Sequence, residues 1–285
     1  MNLIDGKKIA LEIQSEVADQ VLQIGKRKPG LAFVLIGDNP ASQTYIRSKK
    51  KACSATGIRS QLLELPTDVS QLELTHEINR LNQAEEVDGI LVQLPLPAHI
   101  DEQAVMLAID PDKDVDGFHP LNVGKMLLGQ EGGFLPCTPH GIQVLLQRYH
   151  IPVGGKRVVI LGRSPIVGKP LAAILMQKKP GCNATVTIAH SHSEHLQEIC
   201  HSADILVAAI GKPQFINKTM VRPGSVVIDV GINRMPDGTI VGDVAFEEVS
   251  PLTSWITPVP GGVGPMTIAM LLQNTLLSYS KRVAC

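Results

Sequence analysis

Short β-branched runs recur along this chain between longer stretches of helical pattern, and this alternation restricts the fold more than any other feature. A strand followed by a helix must cross over before the next strand can pair, which builds a mostly parallel sheet rather than a barrel of hairpins. In the amino-terminal half, 31–36, 60–65 and 89–92 read as strands; in the carboxyl-terminal half, 157–161, 185–189, 205–209 and 226–230 do. Each half is therefore expected to carry its own sheet, the second with the rhythm of a doubly wound, Rossmann-like one. The 285 residues suffice for two domains with separate cores. A Gly-rich, then Pro-containing segment at 129–138 marks one hinge, and a second crossing is expected near 258–265. The expected division is an α/β domain over 1–137, a second domain over 138–265, and a terminal helix over 266–285 that packs back on the first.

Composition excludes several classes of function. The formal net charge is −1, only 19% of residues are charged, and no block of like charge occurs, so a nucleic acid or an anionic membrane meets no general attraction. Neither is expected as a partner, and any anionic ligand must be held by a local site. Every apolar stretch is cut by Gly, Pro or charge before it can span a bilayer. The start, with Asp5, Glu12, Glu16 and Asp19, lacks the uninterrupted apolar core of a secretory signal. Five cysteines (Cys53, Cys137, Cys182, Cys200, Cys285) without CxxC spacing fit a reducing compartment, and the cytoplasm is the expected location.

The strand 157–161 leads straight into Gly162, Arg163, Ser164, Pro165, Ile166, Val167 and Gly168, where a helix carrying Lys169 and Pro170 in its first turn is expected. Unpaired amides at such a helix start, with the helix dipole, suit a pyrophosphate, and glycine lets the backbone approach it. Ser164 stands where the GxGxxG fingerprint has its second glycine, and the last glycine comes one residue late, so an ordinary tight turn feeding a buried helix is the competing reading. One strand further on, NAD sites place a carboxylate for the ribose hydroxyls; here the sequence reads His190, Ser191, His192. With no acid to repel a ribose phosphate, and Arg163 able to pair with one, NADP is favoured. If Arg163 only caps a helix or pairs with a surface acid, NAD and NADP would bind comparably. His190, His192 and His195 read as a solvated loop rather than a zinc site, and no metal is expected.

In the first half, Asn39 and Pro40 are a helix start and Gly57 a stop, which predicts a helix over 41–56. On it Ser42, Tyr45 and Lys49 are spaced by three and seven residues and share one face. The competing reading is a wet face with Lys49, Lys50 and Lys51 all in solvent. Gln93 sits at the carboxyl end of strand 89–92, where open α/β folds place ligands, and can orient a neighbouring amine. The run 111–120 crowds Asp112, Asp114 and Asp116 into a turn-rich loop, more acid than a simple connection needs.

Taken together these segments resemble the bifunctional methylenetetrahydrofolate dehydrogenase/cyclohydrolases over nearly the whole chain. The resemblance is carried by Ser42, Tyr45 and Lys49 with Lys51, GILVQLPLP from Gly89, DKDVDGFHP from Asp112, PCTPHG from Pro136, GRSPIVGKP from Gly162, DVGIN from Asp229 and TPVPGGVGPMT from Thr257. It implies NADP-linked oxidation of 5,10-methylenetetrahydrofolate and hydrolysis of the methenyl product to 10-formyltetrahydrofolate. It also implies Lys49 as general acid/base, Gln93 holding its amine, Tyr45 stacking on the folate, Asp116 pairing with the pterin, and Ser42 beside the substrate. On the cofactor side it implies Gly162, Arg163 and Ser164 around the phosphates, Ser191 at the ribose phosphate, Ile232 near the nicotinamide, and Thr267 within reach of the cofactor. Pro165 departs from the family's more usual Asn and has no amide to donate. A homodimer paired through the cofactor domain is likewise implied. A different two-domain dehydrogenase, or a nucleotide-sensing protein without catalysis, are the competing readings.

Overall fold

The computed structural model describes residues 1–283. In chain order the elements begin β1 (Asn2–Leu3), α1 (Gly6–Leu22), β2 (Gly30–Ile36), α2 (Pro40–Thr56), β3 (Arg59–Leu65), α3 (Gln71–Gln83), β4 (Gly89–Val92), α4 (Glu102–Ala108), α5 (Pro120–Leu128) and α6 (Cys137–Arg148). They continue with β5 (Arg157–Leu161), α7 (Gly168–Leu175), β6 (Thr185–Ala189), α8 (Leu196–His201), β7 (Ile205–Ala208), β8 (Val226–Asp229), β9 (Asn233–Arg234), β10 (Ile240–Val241), α9 (Phe246–Val249), β11 (Trp255–Ile256) and α10 (Val263–Val283). All seven strands read from the sequence are present, with ends shifted by at most one residue. The two-residue strands β1, β9, β10 and β11 were not anticipated, because two residues carry no periodicity. Cys285 and the last two positions of the expected terminal helix lie outside the described residues.

The chain forms two compact units, one of Leu11–Leu135 with the chain from Ile268 onward, the other of Met1–Ala10 with Pro136–Thr267. In the first, β3, β2 and β4 form a wholly parallel sheet in that order. Central β2 is buried at all seven positions, whereas edge strand β3 alternates between exposed and half-buried residues. That difference is what two covered faces and one covered face demand. Ala32, Val34, Ile36, Ile90 and Val92 pack on Leu74, Ile78 and Leu81 of α3 and Val105 of α4. From α10, Asn274, Ser278 and Arg282, each one helical turn apart, reach into the same unit. Asn274 donates to the Val115 and Leu135 carbonyls, and Ser278 lies within hydrogen-bond distance of the Asp88 and Asp112 carbonyls.

Asp88 is the polar centre of this unit. Fully buried, it accepts two bonds from the Arg27 guanidinium at 2.6 and 2.8 Å, one from Arg282 at 3.0 Å and one from the Gly30 N–H at 2.8 Å. A buried carboxylate costs free energy unless its lone pairs are met, and here four donors meet them.

In the second unit six strands run in the order β1-β11-β8-β7-β5-β6, every neighbouring pair parallel. From β5 onward this is a 2-1-3-4-5 doubly wound order, whose reversal point lies between β5 and β7, at the strand ends where such sheets bind ligands. Val159, Leu161, Leu206, Ala208, Val227 and Ile256 form the core. The sequence division had placed the first ten residues with the amino-terminal domain. They lie in this unit instead, because β1 extends the ladder beyond β11: Asn2 N–H donates to Ser254 O and Ile4 N–H to Ile256 O.

Two stability predictions follow from these contacts. Asp88→Ala strands the buried Gly30 N–H and two guanidinium groups, which are partly exposed and can rehydrate, so the cost falls at the low end of a broken buried pair, about 3 kcal/mol, read by urea unfolding. In α6, the His140 Nδ1 is buried and has no hydrogen-bond partner among the described residues, and burial lowers the ring's pKa to about 4. A depressed histidine pKa means the folded state resists protonation, so this contribution is complete above about pH 6.5 and is lost as pH falls towards 4. His140→Gln should flatten the stability loss over that window by up to about 1.4 kcal/mol per pH unit, measured by urea titration at a series of pH values.

Candidate active site

Helix α2 is fixed at both ends as its sequence requires. The Asn39 side chain accepts from the Ala41 and Ser42 N–H groups, and Gly57 closes the helix at φ +74°, a left-handed conformation that other residues resist. Ser42, Tyr45 and Lys49 share the expected face. Lys49, half-buried, donates from Nζ to Gln93 Oε1 at 3.0 Å, and Gln93 in turn donates from Nε2 to Leu94 O at 2.8 Å. The amide is thus held by its own main chain and presents its oxygen to the amine. Ser42 is buried, with Oγ 3.5 Å from that same Leu94 carbonyl, while Tyr45 is 45% exposed. The reading in which all three lysines are solvated fails for Lys49, since the end of β4 engages it; Lys51 is exposed.

The acid-rich loop divides its work in a way that spacing alone could not show. Ile90 N–H donates to Lys113 O and Ile90 bridges to Asp114, so the loop runs beside β4. Lys113 turns inward, fully buried, and donates from Nζ to the carbonyls of Leu81, Asn82 and Ala84, capping α3 and its exit. Burial, with Arg282 nearby, lowers its pKa to about 8. Asp114 is also buried and accepts from the N–H groups of Gly117, Phe118 and His119 and the amide of Asn122. Burial pushes its pKa up to about 6 against those bonds. Asp112 is exposed; Asp116, half-buried, sits in the turn that Asp114 fastens.

In the other unit, β5 is followed by Gly162, whose φ of +124° and contact with Ala209 O leave no room for a Cβ; a Cβ at Gly168 would strike Gly162 O. This cradle, opening onto the start of α7, fits the phosphates of a dinucleotide. Ser164 Oγ accepts from the Val167 N–H at 3.1 Å and the Gly168 N–H at 3.4 Å, fastening the turn and keeping its own O–H proton to donate. Arg163 and Pro165 are exposed. Beyond β6, His190 Nδ1 accepts from the His192 N–H, Ser191 is exposed, and no carboxylate follows the strand before Glu194. Among the described residues no group of three or more His, Cys, Asp or Glu is placed to hold a metal ion. Ile232 is 49% exposed just past β8, and Thr267 Oγ1 lies 2.9 Å from Thr138 Oγ1. Thr138, in the PCTPHG segment, was not singled out from sequence.

Nor was Asp229, the last residue of β8. It is buried and accepts from the N–H groups of Gly231, Asp243 and Val244, while burial pushes its pKa up to about 6. Its signal was the acid closing an apolar strand in DVGIN.

The chain matches two family models: the catalytic domain of tetrahydrofolate dehydrogenase/cyclohydrolase over residues 4–116, and the NAD(P)-binding domain of the same family over residues 136–283. It is 56% identical over 285 residues to the bifunctional protein FolD of Protochlamydia amoebophila, covering 98% of each chain. A crystal structure of the bifunctional FolD methylenetetrahydrofolate dehydrogenase/cyclohydrolase of Campylobacter jejuni is 49% identical and superimposes with a TM-score of 0.96 over 99% of each chain. The Trypanosoma brucei enzyme, solved with NADP cofactor and an inhibitor, is 39% identical with a TM-score of 0.93, covering 99% of this chain and 98% of that one. By both domain models and full-length identity, this chain belongs to the tetrahydrofolate dehydrogenase/cyclohydrolase family.

Proposed function

We infer that this chain oxidises 5,10-methylenetetrahydrofolate with NADP and hydrolyses the resulting 5,10-methenyl compound to 10-formyltetrahydrofolate. The observation that carries this reading is the Lys49–Gln93 bond on the helix face that also bears Tyr45. In the oxidation a folate nitrogen lone pair forms the C=N⁺ bond as the bridging carbon gives up a hydride, which NADP, when bound, accepts. No protein base is needed, and the protein's task is alignment. In the hydrolysis water adds to the methenyl carbon and loses a proton to leave a hydroxyl adduct; the bond from that carbon to N5 then breaks as N5 takes up a proton and the hydroxyl gives up its own, which leaves the formyl C=O on N10 and releases one proton overall. The carbon is already a strong electrophile, so proton management is the main requirement, and one positioned amine can both remove and return the proton. Lys49 has that role, with Gln93 aiming it. Tyr45 offers its ring to the conjugated ligand, Ser42 supports the same face, and Asp116 accepts from the pterin N–H groups.

For the cofactor, Gly162, Ser164 and the start of α7 hold the phosphates; Arg163 and Ser191 take the ribose phosphate; Ile232 and Thr267 lie towards the nicotinamide. NADP is chosen over NAD because β6 ends without an acid and Arg163 supplies a planar cation. The family resemblance further supports a homodimer joined through the cofactor-binding unit, and five cysteines without CxxC spacing support a cytoplasmic location. Among the described residues, no helix is long and apolar enough to cross a membrane.

Both activities can be followed at the methenyl absorbance with purified protein; failure to turn over either folate with NADP present overturns the assignment. Lys49→Gln should lower methenyl hydrolysis by about 100-fold or more, and wild-type hydrolysis in that variant would remove Lys49 from the mechanism. Arg163→Ala should raise KM for NADP more than KM for NAD; equal changes would separate Arg163 from the ribose phosphate.

A further inference from the structure

We propose that Asp243 is a positioning residue for dinucleotide binding, acting as a buried brace that fixes the two loops after β7 and β8. Asp243 is fully buried. Its Oδ2 accepts from the Ile210 N–H at 2.7 Å and the Gly211 N–H at 3.0 Å, in the loop after β7. Its Oδ1 accepts from Asn233 Nδ2 at 3.0 Å, at the start of β9 in the connection that follows β8. One carboxylate therefore joins two separate loops at the carboxyl ends of adjacent parallel strands, the edge at which a doubly wound sheet binds its ligand.

The surroundings are shaped around this carboxylate. A Cβ at Gly231 would collide with it, and a Cβ at Gly242 would collide with the carboxylate of Asp229, so both glycines exist to let acid and backbone meet. Asp229 completes the brace: it accepts from the Asp243 N–H at 2.9 Å and the Gly231 N–H at 3.0 Å, while its own N–H donates to Thr257 Oγ1 at 2.7 Å. Ile232 is thus gripped on both sides, through Gly231 and Asn233, while remaining half exposed. On the other side, the turn at Gly162 packs against Ala209 O, next to Ile210 and Gly211. The phosphate turn after β5 and the loop carrying Ile232 are therefore held in one register by a side chain that itself reaches neither loop's exposed surface. Asp243 touches no reacting atom; its effect is on where the loops stand.

The inference rests on the assignment of a dinucleotide site to this unit, and the test separates the two. Isothermal titration of the purified full-length protein with NADP gives Kd; hydrolysis of methenyltetrahydrofolate without any dinucleotide reports on the amino-terminal unit. Asp243→Ala leaves three donors without their acceptor and should weaken NADP binding about tenfold or more, with dinucleotide-free hydrolysis within about twofold of wild type. Asp243→Asn should restore most of the affinity, because its amide oxygen can accept from Ile210 and Gly211 while Asn233 turns its own oxygen to the new amide. Unchanged affinity in a folded Asp243→Ala protein, or equal loss of binding and hydrolysis, would overturn the brace. Should that variant fail to unfold cooperatively, Asn233→Ala decides the matter: it removes one bond at the same carboxylate, and should weaken NADP binding about two- to fivefold without altering hydrolysis, whereas unaltered binding refutes the proposal. Wild-type protein that binds NADP but turns over neither folate defeats the assigned reactions and leaves the brace standing on its binding data.

Discussion

Buried aspartates that accept backbone N–H groups hold together the loops of this protein. In a parallel sheet every strand end must leave the ladder, and the amides released there have no neighbour of their own kind. Asp88 takes the Gly30 N–H at the first residue of β2, Asp114 takes three N–H groups in the turn after Lys113, Asp229 takes three around β9 and β10, and Asp243 takes two after β7. A carboxylate suits this task because it has only acceptors and can serve several donors at once. Its burial is tolerable only because those donors, and in the case of Asp88 two arginines, replace the lost water.

Hydrogen bonds of this kind also fix the side chains proposed for the site. Lys49 and Gln93 come from a helix and a strand end rather than from mobile loops, and Gln93 is itself fixed by its bond to Leu94 O. Asp116 owes its place to the turn fastened by Asp114, and Ile232 owes its place to a loop fastened by Asp229 and Asp243. The turn after β5 depends on two glycines that admit no side chain, Gly162 and Gly168. Catalytic groups need positions defined to a fraction of an ångström, and supporting hydrogen bonds supply that definition where packing alone would leave the side chains adaptable.

The four cysteines among the described residues show the opposite case, side chains whose chemistry burial has silenced. Cys53, Cys137, Cys182 and Cys200 are all buried, and burial pushes the Cys53 thiol up to about 12 and the Cys200 thiol to about 11. Thiolate, not thiol, is the reactive form, so these groups serve as small apolar side chains.

Much of this was written in the sequence. The seven longer strands, the capped helix α2, the stripe of Ser42, Tyr45 and Lys49, and the glycine turn after β5 all follow from local patterns, since side-chain periodicity, helix caps and positive φ act over a few residues. Only the tertiary structure decided which of three neighbouring acids would be buried, that Lys113 would cap a helix instead of facing solvent, and that the first ten residues would extend the sheet of the second unit. Two of those outcomes depend on partners tens to hundreds of residues away, Leu81 for Lys113 and Ile256 for Ile4, whereas Asp114 is met by donors three to eight residues on, once the turn folds back over it. A charged side chain becomes a buried fastener or a solvated surface group according to whether the fold brings donors or acceptors to it, and no spacing within a single segment records that.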